Sequence, residues 1–103
     1  MVIVRSKNHL PIRLTIERWD HIIKRHPEMD GAKEKVLDTI TDPDLIQQGD
    51  FGELIGIKFD EKTPLTSEYL VVIYKEVSNT DGFVITAYYA KKPSERRQTI
   101  WKQ

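Results

Sequence analysis

The chain of 103 residues contains no cysteine, which excludes disulfides, thiolate metal sites and a cysteine nucleophile. It has no apolar run near the ~20 residues that a membrane-spanning helix requires, and no signal-peptide pattern at its start. With 39% hydrophobic and 31% charged residues, its composition is typical of a folded globular protein. We therefore expect a single domain over residues 1–103, in the cytoplasm and without membrane contact.

The chain also lacks net charge, but its charges are unevenly distributed. Residues 1–26 carry six basic and two acidic side chains, and the basic tail at residues 91–103 carries five and one. Residues 27–68 carry four basic and eleven acidic side chains. If the two basic ends meet in space, they form a cationic patch suited to phosphate groups; otherwise they are two separate solvated ends. The zero total argues against strong non-specific binding to nucleic acid.

Two helical patterns occupy the first half of the chain. Thr15 is expected to cap a helix that runs to about His26, where Pro27 stops it. A second helix is expected over residues 32–40, with Asp30 as its cap and a stripe of apolar residues on one side.

The second half of the chain changes to the periodicity of β-strands. Residues 78–82 are typical of a hairpin turn with Gly82 in a left-handed conformation, and residues 60–68 of a polar loop. Helices followed by a meander of strands predict an α+β fold, in which two N-terminal helices pack on one face of an antiparallel sheet of four or so strands. Extended runs are expected at residues 2–5, 10–14, 54–59, 69–74 and 83–89.

Two of the three histidines fall in the stretch WDHIIKRHPE, residues 19–28. On a helical wheel His26 lies within the apolar face, whereas His21 lies nearly opposite, beside Arg18 and Arg25. Their spacing of five does not fit the i, i+4 pair of zinc-binding helices, and no third ligand is evident, so we expect no metal and no other cofactor. His26, at a helix end that faces the sheet, can act as a general acid or base; alternatively, it is a core-edge histidine that hydrogen-bonds a carbonyl. For His21 the alternative is an exposed residue that pairs with a neighbouring acid.

Alternation along the last long strand predicts two faces. Thr86 and Tyr88, together with Lys75 of the preceding strand, can hold RNA, because tyrosine stacks on bases while lysine and threonine bind phosphate or ribose. The alternative is an ordinary half-exposed sheet face. The tail with Arg96 and Arg97 either closes over this face as a phosphate clamp or is simply packed against the core. The predicted helix-facing set is Phe83, Ile85, Ala87 and Tyr89, and the opposite set is Val84, Thr86 and Tyr88.

Four short pieces of the chain, in this order, carry a resemblance to a known family. They are Trp19, His21, His26, Pro27 and Glu28 of the first helix, then residues 42–44, residues 69–73 and residues 86–88. Over residues 13–90 the chain resembles small phage- and mobile-element-borne domains of the barnase–EndoU–colicin–RelE (BECR) superfamily of metal-independent RNases.

The resemblance implies a two-helix, antiparallel-sheet fold and cleavage of RNA with the 2′-hydroxyl as nucleophile. It implies that His26 or His21 is the general base or acid, and that Arg25 or Lys75 stabilises charge on the phosphorane. The helical wheel conflicts with one part of this assignment, because it places His21 on the outer face of the helix.

The resemblance further implies that Thr86 and Tyr88 position the phosphate. The function predicted from the sequence is a metal-independent endoribonuclease or toxin-like nuclease that acts on RNA, tRNA included, with an antitoxin or immunity protein as a further partner. The alternatives are a non-catalytic module that binds nucleic acid or protein on the same scaffold, and a structural relative without activity. The predicted RNA-binding residues are Lys75, Arg18, Arg96 and Arg97.

Overall fold

Seven strands and two α-helices make up the computed structural model, which describes residues 1–61 and 68–103. The centre of the expected polar loop, residues 62–67, lies outside the described residues. In chain order the elements are β1 (Val2–Arg5), β2 (Pro11–Leu14), α1 (Ile16–Arg25), a 3₁₀ turn (Pro27–Met29), α2 (Lys33–Thr41), β3 (Leu45–Gln48), β4 (Leu54–Phe59), β5 (Tyr69–Ser78), β6 (Asp81–Ala90) and β7 (Thr99–Lys102).

All the strands belong to one sheet, in the order β1-β2-β6-β5-β4-β3-β7. The neighbouring strands pair antiparallel, except that β2 and β6 run parallel and are joined at the pair Arg13 and Phe83. The predicted antiparallel sheet of about four strands behind two helices was therefore wrong. β1 and β2, which the sequence predicted, precede the helices. β3 and β7 were not predicted, because the sequences LIQQ and TIWK lack a clear alternation of apolar and polar residues.

The first helix begins and ends as expected. The Thr15 side chain accepts a hydrogen bond from the backbone N–H of Arg18 at 3.1 Å, which satisfies one of the donors at the start of α1. Glu17 occupies the first turn, where the helix dipole favours an acid. The helix stops before Pro27, as the restricted conformation of a residue before proline predicts.

The second helix begins one residue later than expected and has a different cap. Ala32 occupies the N-cap position of α2. Asp30, the predicted cap, instead donates its backbone N–H to the Pro27 carbonyl and closes the 3₁₀ turn. The predicted apolar stripe is confirmed, because Val36, Leu37 and Ile40 are all buried.

The sheet has two faces that differ in their covering. The helix face is packed under α1 and α2 and includes Leu70, Val72 and Tyr74 of β5. The open face carries a smaller cluster, built on Ile57 of β4 and Val71 of β5. The half-buried side chains packed against this smaller cluster are Leu45, Tyr69, Ile73, Tyr88 and Ala90.

A β-bulge interrupts the alternation of β6. Ile73 of β5 pairs with Thr86, but the next residue, Tyr74, pairs with Val84, which leaves Ile85 as an extra residue. On the C-terminal side of the bulge the predicted faces hold, and Thr86 lies on the open face. On its N-terminal side, the residues predicted for the helix face lie on the open face, and those predicted for the open face lie on the helix face.

Two residues of β6 consequently lie on the face opposite to the one predicted. Val84 is buried in the core of the helix face, and Phe83 lies on the open face, paired with Lys75. The alternation rule failed here because it assumes a strict period of two, and one additional residue reverses it.

The hairpin between β5 and β6 turns at residues 79–80, so Gly82 is part of a strand. Its φ is not positive, and the predicted left-handed conformation was wrong. A Cβ at this position would lie 2.7 Å from the Lys75 carbonyl oxygen and 2.8 Å from that of Pro11. Glycine is therefore required because β5 and β2 both pass very close to β6 at this position.

A hydrogen-bonded group at the rim of the helix face joins α2 to the sheet. The Tyr89 hydroxyl donates to Asp60 Oδ2 at 3.0 Å, and Lys35 Nζ lies 2.9 Å from the same oxygen. Burial, followed by the hydrogen bond to Asp60 and its charge, raises the pKa of Tyr89 to about 12.

The raised pKa of Tyr89 predicts that the folded protein loses stability at high pH. The unfolded chain releases the phenol proton near pH 10, whereas the folded chain retains it until about pH 12. The stabilisation that the protonated Tyr89 hydroxyl provides is thus complete below pH 10 and is lost as pH rises toward 12. In urea unfolding at pH 9 and 11, wild type should lose more free energy of unfolding than Tyr89→Phe. Burial also raises the pKa of Tyr74, but this residue is common to both proteins and cancels. An equal loss in the two proteins would contradict the assignment.

Candidate functional site

His26 directly follows α1 and contacts Tyr88, a residue of the open face. Its backbone N–H still donates to the Ile22 carbonyl at 2.7 Å, so the last helical turn fixes its position. The imidazole ring lies 5.6 Å from the ring of Tyr88, measured between centroids, with the planes 32° apart. Its Nδ1 lies 4.0 Å from Glu28 Oε1, and the side chain is 33% exposed. The imidazole is thus held in place by its neighbours and accessible to a ligand.

Thr86 and Tyr88 stand two residues apart on the same face of β6. Thr86 is paired with Ile73 and Tyr88 with Val71, both on the open face. Side chains two residues apart in a strand are separated by about 7 Å, a distance that one nucleotide can bridge. The structure therefore places both predicted hydroxyls on the face that His26 reaches.

A cavity of about 160 Å³ adjoins Tyr88 on the open face. Its apolar wall includes Ile57 and Val71, and part of the segment that precedes β7 closes it from above. Lys92 and Arg97 of that segment both line the cavity. The aromatic ring that contacts His26 therefore also borders a hollow with two cations at its edge.

Both cations are paired at the surface. Arg97 Nη1 lies 3.1 Å from Asp50 Oδ1, and Lys92 Nζ lies 2.9 Å from Glu95 Oε1. Surface ion pairs of this kind contribute little to stability, so a phosphate can replace either carboxylate at low cost. Arg96 is exposed and lines a neighbouring hollow with Arg97 and Asp50.

The other predicted site residues lie away from this group. His21 and Arg25 are exposed on α1. Arg18 donates to the Ile85 carbonyl at 3.3 Å and so links α1 to the bulge of β6. Lys75 lies on the open face beyond the bulge, with its Nζ 3.5 Å from the Phe51 carbonyl oxygen.

The two ends of the chain meet, through a contact that is not a cationic patch. Lys7 Nζ lies 4.7 Å from the centre of the Trp101 ring. This contact pairs a cation with an aromatic ring, while Arg96 and Arg97 lie beside Asp50. Of the cations of the tail, Lys92 and Arg97 therefore lie at the cavity of the open face.

Gln47 and Lys92 line the cavity, although neither is among the site residues predicted from the sequence. Gln47 is 3% exposed and lies in β3, which was not predicted as a strand. Lys92 belongs to the basic tail, whose charge was evident from the sequence but whose position was not. An assignment of residues 45–48 as a strand beside β4 would have placed Gln47 on the open face.

A second cavity, of about 200 Å³, lies on the helix side and is also lined by charged residues. Lys58 Nζ lies 3.0 Å from Asp38 and 3.2 Å from Asp42. Burial lowers the pKa of Lys58, but the hydrogen bonds and charges of the two carboxylates outweigh it and raise the pKa overall. These charges satisfy each other and connect α2 to β4, so we assign the cavity a structural role.

Within residues 1–61 and 68–103, no three histidine, aspartate or glutamate side chains are grouped so as to hold a metal ion. None of the helices in these ranges is long and apolar enough to cross a membrane. Comparisons with protein-family models, with curated proteins and with solved structures found no match.

Proposed function

We propose that this chain is a metal-independent endoribonuclease whose site lies on the open face, at His26, Thr86 and Tyr88. The observation that carries the proposal is the contact between the rings of His26 and Tyr88, 5.6 Å apart, at the edge of a cavity that Lys92 and Arg97 also line. A proton-transfer group, a hydroxyl donor and cations are the three requirements of 2′-hydroxyl attack on a phosphodiester.

The proposed reaction assigns each group one role. His26 removes the proton of the 2′-hydroxyl as the 2′-oxygen forms its bond to phosphorus. The bond from phosphorus to the 5′-oxygen breaks, and that oxygen takes a proton from the Tyr88 hydroxyl. Arg97 and Lys92 stabilise the charge of the phosphorane, and Thr86 hydrogen-bonds the phosphate. The products are a 2′,3′-cyclic phosphate and a 5′-hydroxyl, and exchange with solvent restores both side chains.

The proposed substrate is single-stranded RNA, including the loops of tRNA, because a half-exposed sheet face with an aromatic ring suits unstacked bases. Lys75 extends the same face beyond the bulge and Arg96 extends it beside the cavity. As a toxin-like nuclease of the BECR type, the protein would act on RNA in the cytoplasm, and an antitoxin or immunity protein would cover the open face.

Cleavage of RNA in the presence of EDTA tests the proposal directly. Purified protein should convert total RNA and tRNA to fragments that carry 2′,3′-cyclic phosphate and 5′-hydroxyl ends. The same RNA with 2′-O-methyl groups should remain intact, because its 2′-oxygen cannot act as the nucleophile. Intact RNA in the first reaction, or cleavage of the methylated RNA, would overturn the proposal.

One observation favours a binding module as the second candidate. Phe59 and Tyr69 form an edge-to-face pair on the open face, with ring centroids 5.4 Å apart, and Phe59 is 41% exposed. Such a pair offers an aromatic surface without any proton-transfer group. A binding module would show no cleavage and would bind RNA equally well after His21 and His26 are both replaced by alanine.

A further inference from the structure

Gln47 is a buried polar side chain whose hydrogen bonding is only half complete. It lies on the open face of β3, paired with Ile55, and is 3% exposed. Its Nε2 donates to the Ser94 carbonyl at 2.8 Å. Among the described residues its Oε1 has no hydrogen-bond partner, although that atom is buried.

The contact with Ser94 determines which end of the amide is unpaired. A carbonyl oxygen accepts but cannot donate, so the NH₂ end must face Ser94, and the acceptor end remains. A buried acceptor without a donor is unfavourable. Gln47 lines the cavity beside Tyr88, so a small rotation of the amide would let Oε1 accept a hydrogen bond from a molecule that occupies this cavity.

We propose that Gln47 determines base specificity: its Oε1 accepts a hydrogen bond from the exocyclic amino group of a nucleobase bound beside Tyr88. This inference rests on the proposed function and names the nucleotides that the site selects, which are those with adenine, cytosine or guanine.

The size and the polarity of the cavity agree with a single base. Its volume of about 160 Å³ is well below the ~300 Å³ at which pockets for larger ligands begin. Tyr88 offers a ring for stacking, and the apolar wall suits a flat heterocycle. Ser94 lines the same hollow. Uracil has a single ring donor, N3–H, flanked by two carbonyl oxygens that would face the Gln47 acceptor, whereas an exocyclic amino group projects two N–H bonds beyond the ring.

Binding of oligonucleotides that cannot be cleaved tests this inference independently of catalysis. The probes are fluorescently labelled 2′-O-methyl decamers of adenosine, cytidine, uridine and purine riboside, measured by fluorescence anisotropy. Purine riboside differs from adenosine only in its missing amino group. The variants are Gln47→Leu and, as a matched control, Gln48→Leu, because Gln48 is the adjacent residue of β3, is exposed and does not line the cavity beside Tyr88.

We expect wild type and Gln48→Leu to bind the adenosine and cytidine decamers about tenfold more tightly than the other two. In Gln47→Leu the difference should fall to less than about twofold. Equal binding of adenosine and purine riboside by wild type would overturn the proposal even if Gln47→Leu does not fold. An unchanged base preference in a folded Gln47→Leu variant would also overturn the proposal, because the amide would then hydrogen-bond a buried water and not the base. Absence of RNA cleavage with the base preference intact would reject only the nuclease.

Discussion

Replacement of His26 by alanine should lower the rate of RNA cleavage at least about 100-fold, the usual contribution of a positioned general acid or base. The imidazole is the proton-transfer group that reaches the ring of Tyr88. The side chain is one-third exposed, and its structural role at the end of α1 uses its backbone N–H. The expected effect is therefore on kcat with little change in stability.

The chain provides a matched control five residues away. His21 belongs to the same helix and is exposed, and the proposed mechanism assigns it no role. His21→Ala should therefore retain cleavage within about twofold, since surface substitutions away from a site usually have small effects. Both variants should be compared with wild type at matched thermal stability. Added imidazole should partly restore the activity of His26→Ala, because it supplies the missing base.

Three outcomes would contradict the assignment of His26. If His21→Ala abolishes cleavage and His26→Ala does not, the outer side of α1 carries the catalytic group and the open face is not the active site. If both variants cleave like wild type, the BECR-type mechanism needs another base. A large drop in melting temperature of His26→Ala, without effect on activity, would make it a core-edge histidine.

The local elements of this fold were largely predictable, because each has a strong signal of its own. The helix start at Thr15 depends on capping, and its stop on Pro27. The two long strands, Tyr69–Ser78 and Asp81–Ala90, are rich in β-branched and aromatic residues. Where the residues of one segment determine its secondary structure, that structure can be predicted from the segment alone.

The assembly of the sheet was not predictable in the same way. β3 and β7 exist because each pairs with a neighbour, and their four residues carry little pattern of their own. The parallel junction of β2 and β6 depends on one register pair, Arg13 and Phe83. Both features follow from contacts between distant segments, which no local pattern encodes.

The candidate site divides along the same line. His26, Thr86 and Tyr88 were recognisable from residue type, helical phase and alternation. Their proximity depends on the course of α1 along β6, where Arg18 bonds the bulge at Ile85. The cavity also requires that β3 and the tail before β7 lie next to each other on the open face. The residue types therefore indicate which reaction the site could perform, whereas the geometry of the site depends on the topology of the sheet.

Gly82→Ala is expected to lower the free energy of unfolding by about 3 kcal/mol, at the upper end of the range for overpacked sites. The added methyl would lie 2.7 Å from the Lys75 carbonyl oxygen and 2.8 Å from that of Pro11. Both atoms are backbone, one in β5 and one in β2, so no rotation of a side chain relieves the contacts, and both strands must move away from β6. Urea unfolding of the two proteins measures the difference.

Gly56→Ala provides the control, because Gly56 is also a buried strand glycine, in β4. A methyl there would have as its nearest atoms a ring carbon of Tyr74 at 3.4 Å and the Thr39 carbonyl oxygen at 3.5 Å, and its cost should stay below about 1 kcal/mol. Equal losses in the two variants would show that the β2–β6 junction tolerates the methyl.

The Gly82 variant also connects the fold to the proposed activity. Thr15, the cap of α1, follows directly after β2, so a displaced β2 carries the helix and His26 with it. Since a shift of about 1 Å in a reacting group can cost on the order of 100-fold in rate, Gly82→Ala should lose cleavage at temperatures where it remains folded. Full activity in the folded variant would mean that His26 is positioned by the packing of α1 alone and does not depend on the β2–β6 junction.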